Sequence, residues 1–287
     1  KFRYKIRLYS YRKRLNLMKI LILGDVMGNS GIKALQESLK KIIEDKKIDF
    51  TIVNGENAAE NGRGITKEIT KILFNIGVDV ITSGNHIWDQ NGTTEFIDDE
   101  KRLLRPYNLP KGSPGSGYGI YSSRDKKCKV CVINLMGNVY MKKTENVFIA
   151  AQELQTRLKL KKDYDYLVVD FHGEITSEKM AMGHYYDGKA TLVVGTHTHV
   201  PTADTRILQG GTAYQTDIGM CGDYNSVIGM NKESSVKRFL SNDKEARHKV
   251  LPALGEGTLS GVIVECSPFT GLAQKIERLL FGGVFKN

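Results

Sequence analysis

The chain reads as an α/β protein, with two β-sheets in a sandwich flanked by helices. Three observations carry that expectation. Short apolar runs recur along the sequence, each punctuated by Gly or Asn in the manner of buried strands. Stretches with helical apolar spacing lie between the early runs. Several runs close on side chains that can ligate a metal, namely carboxylates, carboxamides and imidazoles.

Taken in order, Met18-Lys19-Ile20-Leu21-Ile22-Leu23 runs into Gly24-Asp25. Residues 30 to 47 then place Ile32, Leu35, Leu39, Ile42 and Ile43 on one helical face. Phe50-Thr51-Ile52-Val53 leads into Asn54-Gly55-Glu56-Asn57. A second helical pattern at 66 to 76, with Ile69, Ile72, Leu73 and Ile76, stops before Gly77. Val78-Asp79-Val80-Ile81 precedes Gly84-Asn85-His86. Residues 110 to 119, rich in Gly, Ser and Pro, form a loop beside a strand candidate at 129 to 135. Tyr166-Leu167-Val168-Val169 runs into Asp170-Phe171-His172, and Leu192-Val193-Val194-Gly195-Thr196 into His197-Thr198-His199. Residues 212 to 216 and 259 to 266 are further strand candidates. The sequence contains no internal repeat, and periodicity does not fix strand order.

In open α/β sheets the ligand crevice lies beyond the carboxyl ends of the strands, so groups at several strand ends converge there. Asp25, Glu56, Asn57, Asn85, His172, His197 and His199 form a mixed oxygen and nitrogen donor set. Such a set suits Mn²⁺, Fe or Zn²⁺ and holds too much imidazole for a Ca²⁺ cage. Seven donors exceed what one tetrahedral ion takes. Two ions roughly 3.5–4 Å apart, bridged by a carboxylate and a hydroxide, would use them all and would hydrolyse a phosphate ester. Competing readings are simple. Asn is common in turns, Asp25 could cap the helix that follows, and His184 and His248 read as surface residues. His197 and His199 lie two apart, and at that spacing on an extended chain they would face the same way.

The strings Gly24-Asp25-Val26-Met27-Gly28, Gly55-Glu56-Asn57-Ala58-Ala59, Gly84-Asn85-His86-Ile87-Trp88-Asp89, Asp170-Phe171-His172, Thr176-Ser177-Glu178-Lys179, Gly195-Thr196-His197-Thr198-His199-Val200-Pro201-Thr202-Ala203-Asp204 and Thr216-Asp217-Ile218-Gly219-Met220 carry a resemblance. In this order, across nearly all of residues 18 to 287, the chain resembles the bacterial YmdB-like metallophosphodiesterases of the calcineurin-like superfamily. The resemblance implies a four-layer αββα sandwich, the calcineurin-like metallophosphoesterase fold. Two strings depart from the wider superfamily. Its Asp-x-His motif appears as Asp25-Val26-Met27, and its Gly-Asp motif as Gly55-Glu56-Asn57. Met27 cannot replace a histidine on a hard ion. By analogy with the narrower family, Asp25, Glu56, Asn57 and His199 hold one metal. Glu56, Asn85, His172 and His197 hold the other, with Glu56 as the bridge.

The resemblance also implies hydrolysis of 2′,3′-cyclic nucleotides, with 3′,5′-cyclic AMP as a further associated substrate. Two divalent or mixed-valence ions are expected as cofactors, Fe or Mn before Zn. A hydroxide shared by two cations needs no separate protein base. His86 follows a presumed ligand and can reach the pocket without coordinating, so it is the expected general acid. Arg63, in Asn61-Gly62-Arg63-Gly64, is placed to reach a substrate phosphate. The alternatives are a broader phosphomonoesterase or nuclease using the same metals, and a regulator that acts by binding RNA or a protein partner.

Composition fits a soluble enzyme. The chain has 287 residues, 40% of them hydrophobic, which is enough for a full core, and no run reaches membrane-spanning length. Four cysteines are too few for a disulfide framework in a chain this size, and Cys128 and Cys131 read as reduced core thiols. The net charge of +10 is unevenly placed: residues 1–17 hold seven Lys and Arg and no acid, which leaves +3 for the rest. That segment reads as a basic N-terminal extension, disordered or non-native, ahead of a single domain at 18–287 that Met18 opens. It lacks the apolar core of a secretory signal, so cytoplasm is the expected address. A homo-oligomer is expected from the resemblance alone, with no membrane partner and RNA as a weaker candidate.

Overall fold

The computed structural model describes residues 17–240 and 250–285. Residues 1–16 of the basic extension, and His248, lie outside the described residues. The first sheet contains β1 (Met18–Met27), β2 (Phe50–Asn57), β3 (Val80–Thr82), β10 (Met220–Cys221), β11 (Leu259–Cys266) and β12 (Ala273–Phe281). Its order is β12-β11-β1-β2-β3, with β10 also paired to β1. The second contains β4 (Tyr118–Ser122), β5 (Lys129–Met136), β6 (Tyr166–His172), β7 (Leu192–Thr196), β8 (Arg206–Ile207) and β9 (Ala213–Gln215), in the order β4-β5-β6-β7-β9-β8. Within the sheets, β1-β2-β3 and β5-β6-β7 run parallel.

Side-chain alternation explains the layering. Along β1, Ile20 and Ile22 point into a core shared with Phe50, Ile52, Val132, Val168 and Val194, which lies between the sheets. Leu21 and Leu23 point the other way, onto Ile32, Leu35, Leu39 and Ile42 of helix α1 (Gly28–Lys46) and Leu73 of α2 (Lys67–Asn75). On the outer face of the second sheet, Ile133, Val169 and Val193 pack on Val147, Ala151 and Leu154 of α4 (Val147–Arg157) and Met182 of α5 (Thr176–Tyr185). Three apolar layers therefore separate four structural ones, the expected αββα sandwich. Each fully buried Ile or Leu contributes about 1.5–3 kcal/mol. The remaining helices are α3 (Thr93–Phe96) and α6 (Lys232–Leu240), with a 3₁₀ turn at Gly283–Phe285.

Several boundaries differ from the sequence expectation in ways that matter for the site. β1 extends through Asp25 to Met27, and β2 through Glu56 to Asn57. Their pairing shifts register on both sides of Asp25, and such irregularities re-aim side chains at sheet ends. Asp25 is not a helix cap: α1 begins at Gly28, and its N-cap residue Met27 makes no side-chain bond. α4 and α5 carry weak apolar stripes that periodicity alone did not single out. No described helix is long and apolar enough to cross a membrane. All four cysteines are free, and burial pushes the Cys131 thiol up to about 12, far from a reactive thiolate.

Candidate metal centre

The parallel strands of both sheets deliver their last residues to one crevice. Asp25, Glu56 and Asn57 come from β1 and β2, Asn85 and His86 from the turn after β3, His172 from the end of β6, and His197 and His199 from the turn after β7. The loop after β3 must pass very close to β6. A Cβ placed on Gly84 would lie 2.3 Å from the His172 ring, so only glycine permits this approach.

Two groupings of donor atoms follow. Around His172 Nε2 lie Asn85 Oδ1 at 3.0 Å, His197 Nδ1 at 3.0 Å and Glu56 Oε1 at 3.3 Å. Ligand atoms of Glu56, His172 and His197 all fall within 4.8 Å of one another. Nearby, His199 Nε2 meets Asn57 Oδ1 at 3.2 Å. Asp25 sits between the sheets, with Oδ2 accepting from the His197 N–H at 3.0 Å and Oδ1 3.6 Å from His172 Nδ1. That Oδ1 is buried without a hydrogen-bond partner. A buried, unpartnered carboxylate oxygen costs free energy unless a cation or ligand meets it. The donor set and this orphan oxygen fit a metal-binding role.

Hydrogen bonds behind the donors fix their tautomers. The His172 Nδ1 side faces Thr196 Oγ1 at 3.0 Å, and Thr196 in turn donates to Asp170 Oδ1 at 2.8 Å. Asp170 Oδ2 accepts from Thr82 Oγ1 at 2.5 Å and Asn54 Nδ2 at 2.9 Å. Nδ1–H therefore points at Thr196, and Nε2 faces the donor cluster, where a cation displacing its proton would meet the lone pair. In the same way His199 Nδ1 lies 2.8 Å from the Ile228 carbonyl, leaving Nε2 toward Asn57. His197 Nε2 lies 3.1 Å from Glu174 Oε2.

The electrostatics indicate that the cluster attracts positive charge. Burial works against the His172 cation, yet Glu56, Asp25 and Asp170 lift its pKa to about 9. Burial would raise Glu56, but the His172 charge and hydrogen bond and the His86 N–H hold it at about 2. Burial and the neighbouring His172 push His197 down to about 3, and burial lifts Asp170 to about 6. A proton on His172 balances the buried carboxylates, and a bound divalent cation would take its place.

His86 stands apart from the donor cluster. Its backbone N–H donates to Glu56, while its ring Nδ1 lies 2.5 Å from Asp89 Oδ2. Lys142 Nζ ties this corner together, 3.3 Å from Asp89 Oδ1 and 2.5 Å from the Asn85 carbonyl. A cavity of about 470 Å³ opens over the cluster, lined by Glu56, Asn57, His86, His197 and His199, with Arg63 exposed at its wall.

The turn carrying the two histidines corrects one sequence-based reason. β7 ends at Thr196, and His197 and His199 have φ of 101° and 65°, left-handed values rather than extended ones. They consequently aim at different partners, His172 and Asn57. Such strain persists only where surroundings impose it. Here Asp217 Oδ2 accepts from both Thr198 N, at 3.1 Å, and Thr198 Oγ1, at 2.8 Å, and is itself paired with buried Lys179 at 2.7 Å. Sequence reasoning missed Asp170, Thr196, Asn54, Glu174 and this ion pair as supporting residues. A signal existed for Asp170, which shares a strand face with Val168 and His172 and so places an acid in the inter-sheet core. His184 is exposed on α5.

Two stacked sheets with carboxylate, carboxamide and imidazole donors at their parallel strand ends define the calcineurin-like metallophosphoesterase class. Within it, the YmdB-like protein family matches residues 21–279, and the chain belongs to that family. It is 46% identical over 263 residues to the 2′,3′-cyclic-nucleotide 2′-phosphodiesterase of Bacillus subtilis, covering 92% of this chain and 97% of the relative. Among solved structures it is similar to a phosphatase from Mycoplasma pneumoniae, with TM-score 0.85, 35% identity and coverage of 94% of this chain and 96% of that one. It is also similar to a protein from Thermus thermophilus, with TM-score 0.84, 34% identity and coverage of 93% and 100%.

Proposed function

We propose that this chain is a dinuclear metal-dependent phosphodiesterase that hydrolyses 2′,3′-cyclic nucleotides. The observation that carries the reading is the convergence of Glu56, Asn85, His172 and His197 beside the Asn57–His199 pair, with Asp25 Oδ1 buried and unpartnered between them. The Bacillus subtilis relative supplies the substrate class. Asp25, Glu56, Asn57 and His199 would hold one cation, and Glu56, Asn85, His172 and His197 the other. Fe or Mn suits these donors, with Zn as the alternative. When bound, the cations supply deprotonation of water near neutral pH and stabilisation of charge developing on the phosphoryl oxygens.

The chain's own groups then have separable tasks. Asp170, through Thr196, keeps the His172 Nε2 lone pair aimed at the cluster. Asp89 engages His86 Nδ1, which leaves Nε2 as the nitrogen free to face the cavity. His86 is assigned as general acid: as the P–O2′ bond breaks, Nε2 gives its proton to the leaving ribose oxygen, and a 3′-phosphomonoester remains. Because the donors come from both sheets, residues 18–287 would act as one domain.

The test is a substrate panel on metal-reconstituted protein, comprising 2′,3′-cyclic AMP, 3′,5′-cyclic AMP, a phosphomonoester and a short RNA. Turnover of 2′,3′-cyclic AMP well above the others supports the reading. Turnover of the phosphomonoester alone would replace it with a phosphatase, and no turnover with metal bound would favour a regulatory role.

A further inference from the structure

Arg63 and Arg238 enter the same cavity from separate elements, the loop after β2 and helix α6. Among the described residues neither guanidinium has an ion-pair or hydrogen-bond partner. Four other arginines are committed within the protein, Arg102 to Glu100, Arg105 to backbone carbonyls, Arg124 to Asp79 and Arg206 to Asp204, while Arg278 lines a different cavity. The Arg63 backbone is anchored, its N–H donating to Asn61 Oδ1 at 3.1 Å and its carbonyl accepting from Gln90 Nε2 at 2.6 Å, so the loop is fixed while the charged end is left for a ligand. The acids in the cavity do not neutralise the pair. Glu56 is bound to His86 N–H and His172, and Glu174 to His197.

A cyclic mononucleotide carries one phosphate, and on the reading above that phosphate is the reacting one at the donor cluster. One guanidinium can share the oxygens of that reacting phosphate, but a second one in the same cavity has a fork geometry that suits a further phosphate. A second cavity of about 790 Å³ adjoins the first across the same loop, walled by Ile69, Leu251 and Leu254 with the Asn61 and Gln90 amides at its edge. At Gly62 the two approach closely, since a Cβ there would meet Met27 of the first cavity at 2.7 Å and Pro252 of the second at 3.0 Å. These aliphatic faces can pack against the flat face of a nucleobase, and the Gln90 Oε1 and Asn61 Nδ2 atoms are left to meet its edge.

Resting on the phosphodiesterase reading, we propose that the site is built for an RNA 3′ end that carries a 2′,3′-cyclic phosphate. Arg63 and Arg238 hold the next phosphate on its 5′ side, and the adjoining cavity takes the neighbouring base. The shared recognition element is a second phosphate, which a 5′-phosphorylated cyclic mononucleotide would also present.

The experiment compares kcat/KM for adenosine 2′,3′-cyclic phosphate, its 5′-phosphorylated form and a dinucleotide ending in a cyclic phosphate. Wild type, R63Q, R238Q, the double variant and the control R157Q, an exposed arginine on α4 outside both cavities, are assayed, with metal content measured in each. The wild-type preference for the dinucleotide over the unphosphorylated mononucleotide is expected to be at least about tenfold, the effect of one charge-assisted contact. It should fall toward one in the double variant and persist in R157Q. A 5′-phosphorylated mononucleotide matching the dinucleotide would overturn the base subsite, and a dinucleotide advantage over it supports that subsite. Equal kcat/KM for all three substrates in wild type, or a preference that survives the double variant, overturns the proposal while leaving cyclic-nucleotide turnover intact. Should no cyclic phosphate be turned over, the phosphodiesterase reading fails first. Fluorescence anisotropy with a 3′-phosphorylated trinucleotide then decides independently. Binding whose salt slope drops by about 0.7 per arginine removed supports the arginine subsite, and absent or unaltered binding overturns it.

Discussion

His86 and His172 show how neighbours divide the labour of two imidazoles. His172 is fully buried with its Nδ1 side held by Thr196, whereas His86 is partly exposed and held by Asp89 outside the donor cluster. His86→Ala should lower kcat by about 10²–10⁴-fold, the usual contribution of a positioned acid, with metal content unchanged by elemental analysis. Loss of metal in this variant would make His86 a ligand instead. A pH dependence follows from His172. Its folded-state pKa of about 9 lies above the ordinary 6.5, so its proton stabilises the metal-free fold fully below pH 6.5, and that contribution disappears as pH rises through 9. On the proposed assignment, metal uptake would displace this proton. Between pH 7 and 8.5, affinity for Mn²⁺ should therefore rise about tenfold per pH unit and flatten above 9. Calorimetric titration across that range checks it, and a pH-independent affinity would show that His172 keeps its proton.

At the scale of elements, the strand ends are what the sequence revealed most clearly. Apolar runs closing on Asp25, Glu56, Asn85, His172 and His197 were legible because strands in parallel sheets must be apolar until they leave the core. Two things were not legible. The left-handed turn at His197 and His199 depends on Asp217 and Lys179, which are distant in sequence and meet only in the fold. The Asp170–Thr196–His172 chain likewise needs β6 and β7 side by side. Asp217→Ala leaves Lys179 buried and unpaired, so it should cost about 3–5 kcal/mol in denaturant unfolding. It should also release the turn, seen as weaker metal binding. A stability change below about 1 kcal/mol would mean the ion pair is not holding the fold. Gly84→Ala forces a carbon into the His172 ring. Overpacking of that kind costs about 1–3 kcal/mol, and metal affinity should fall along with the melting temperature.

Across the whole molecule, the two sheets bury Ile20, Ile22, Val132, Val168 and Val194 against one another and thereby bring donors from both into one crevice. The alternation in β1 made a two-faced strand legible, but strand order was not, because β11 and β12 close the first sheet from the far end of the chain. Since the donors span both sheets, bound metal should tie folding to the site. Chelation is expected to lower the melting temperature, by an amount that grows with the metal concentration it is compared against. The most direct single measurement is turnover of 2′,3′-cyclic AMP as Mn²⁺ is titrated into metal-free protein. A dinuclear phosphodiesterase should gain activity up to two equivalents per chain and then plateau. A plateau at one equivalent, or saturation with metal and no turnover, would contradict that assignment.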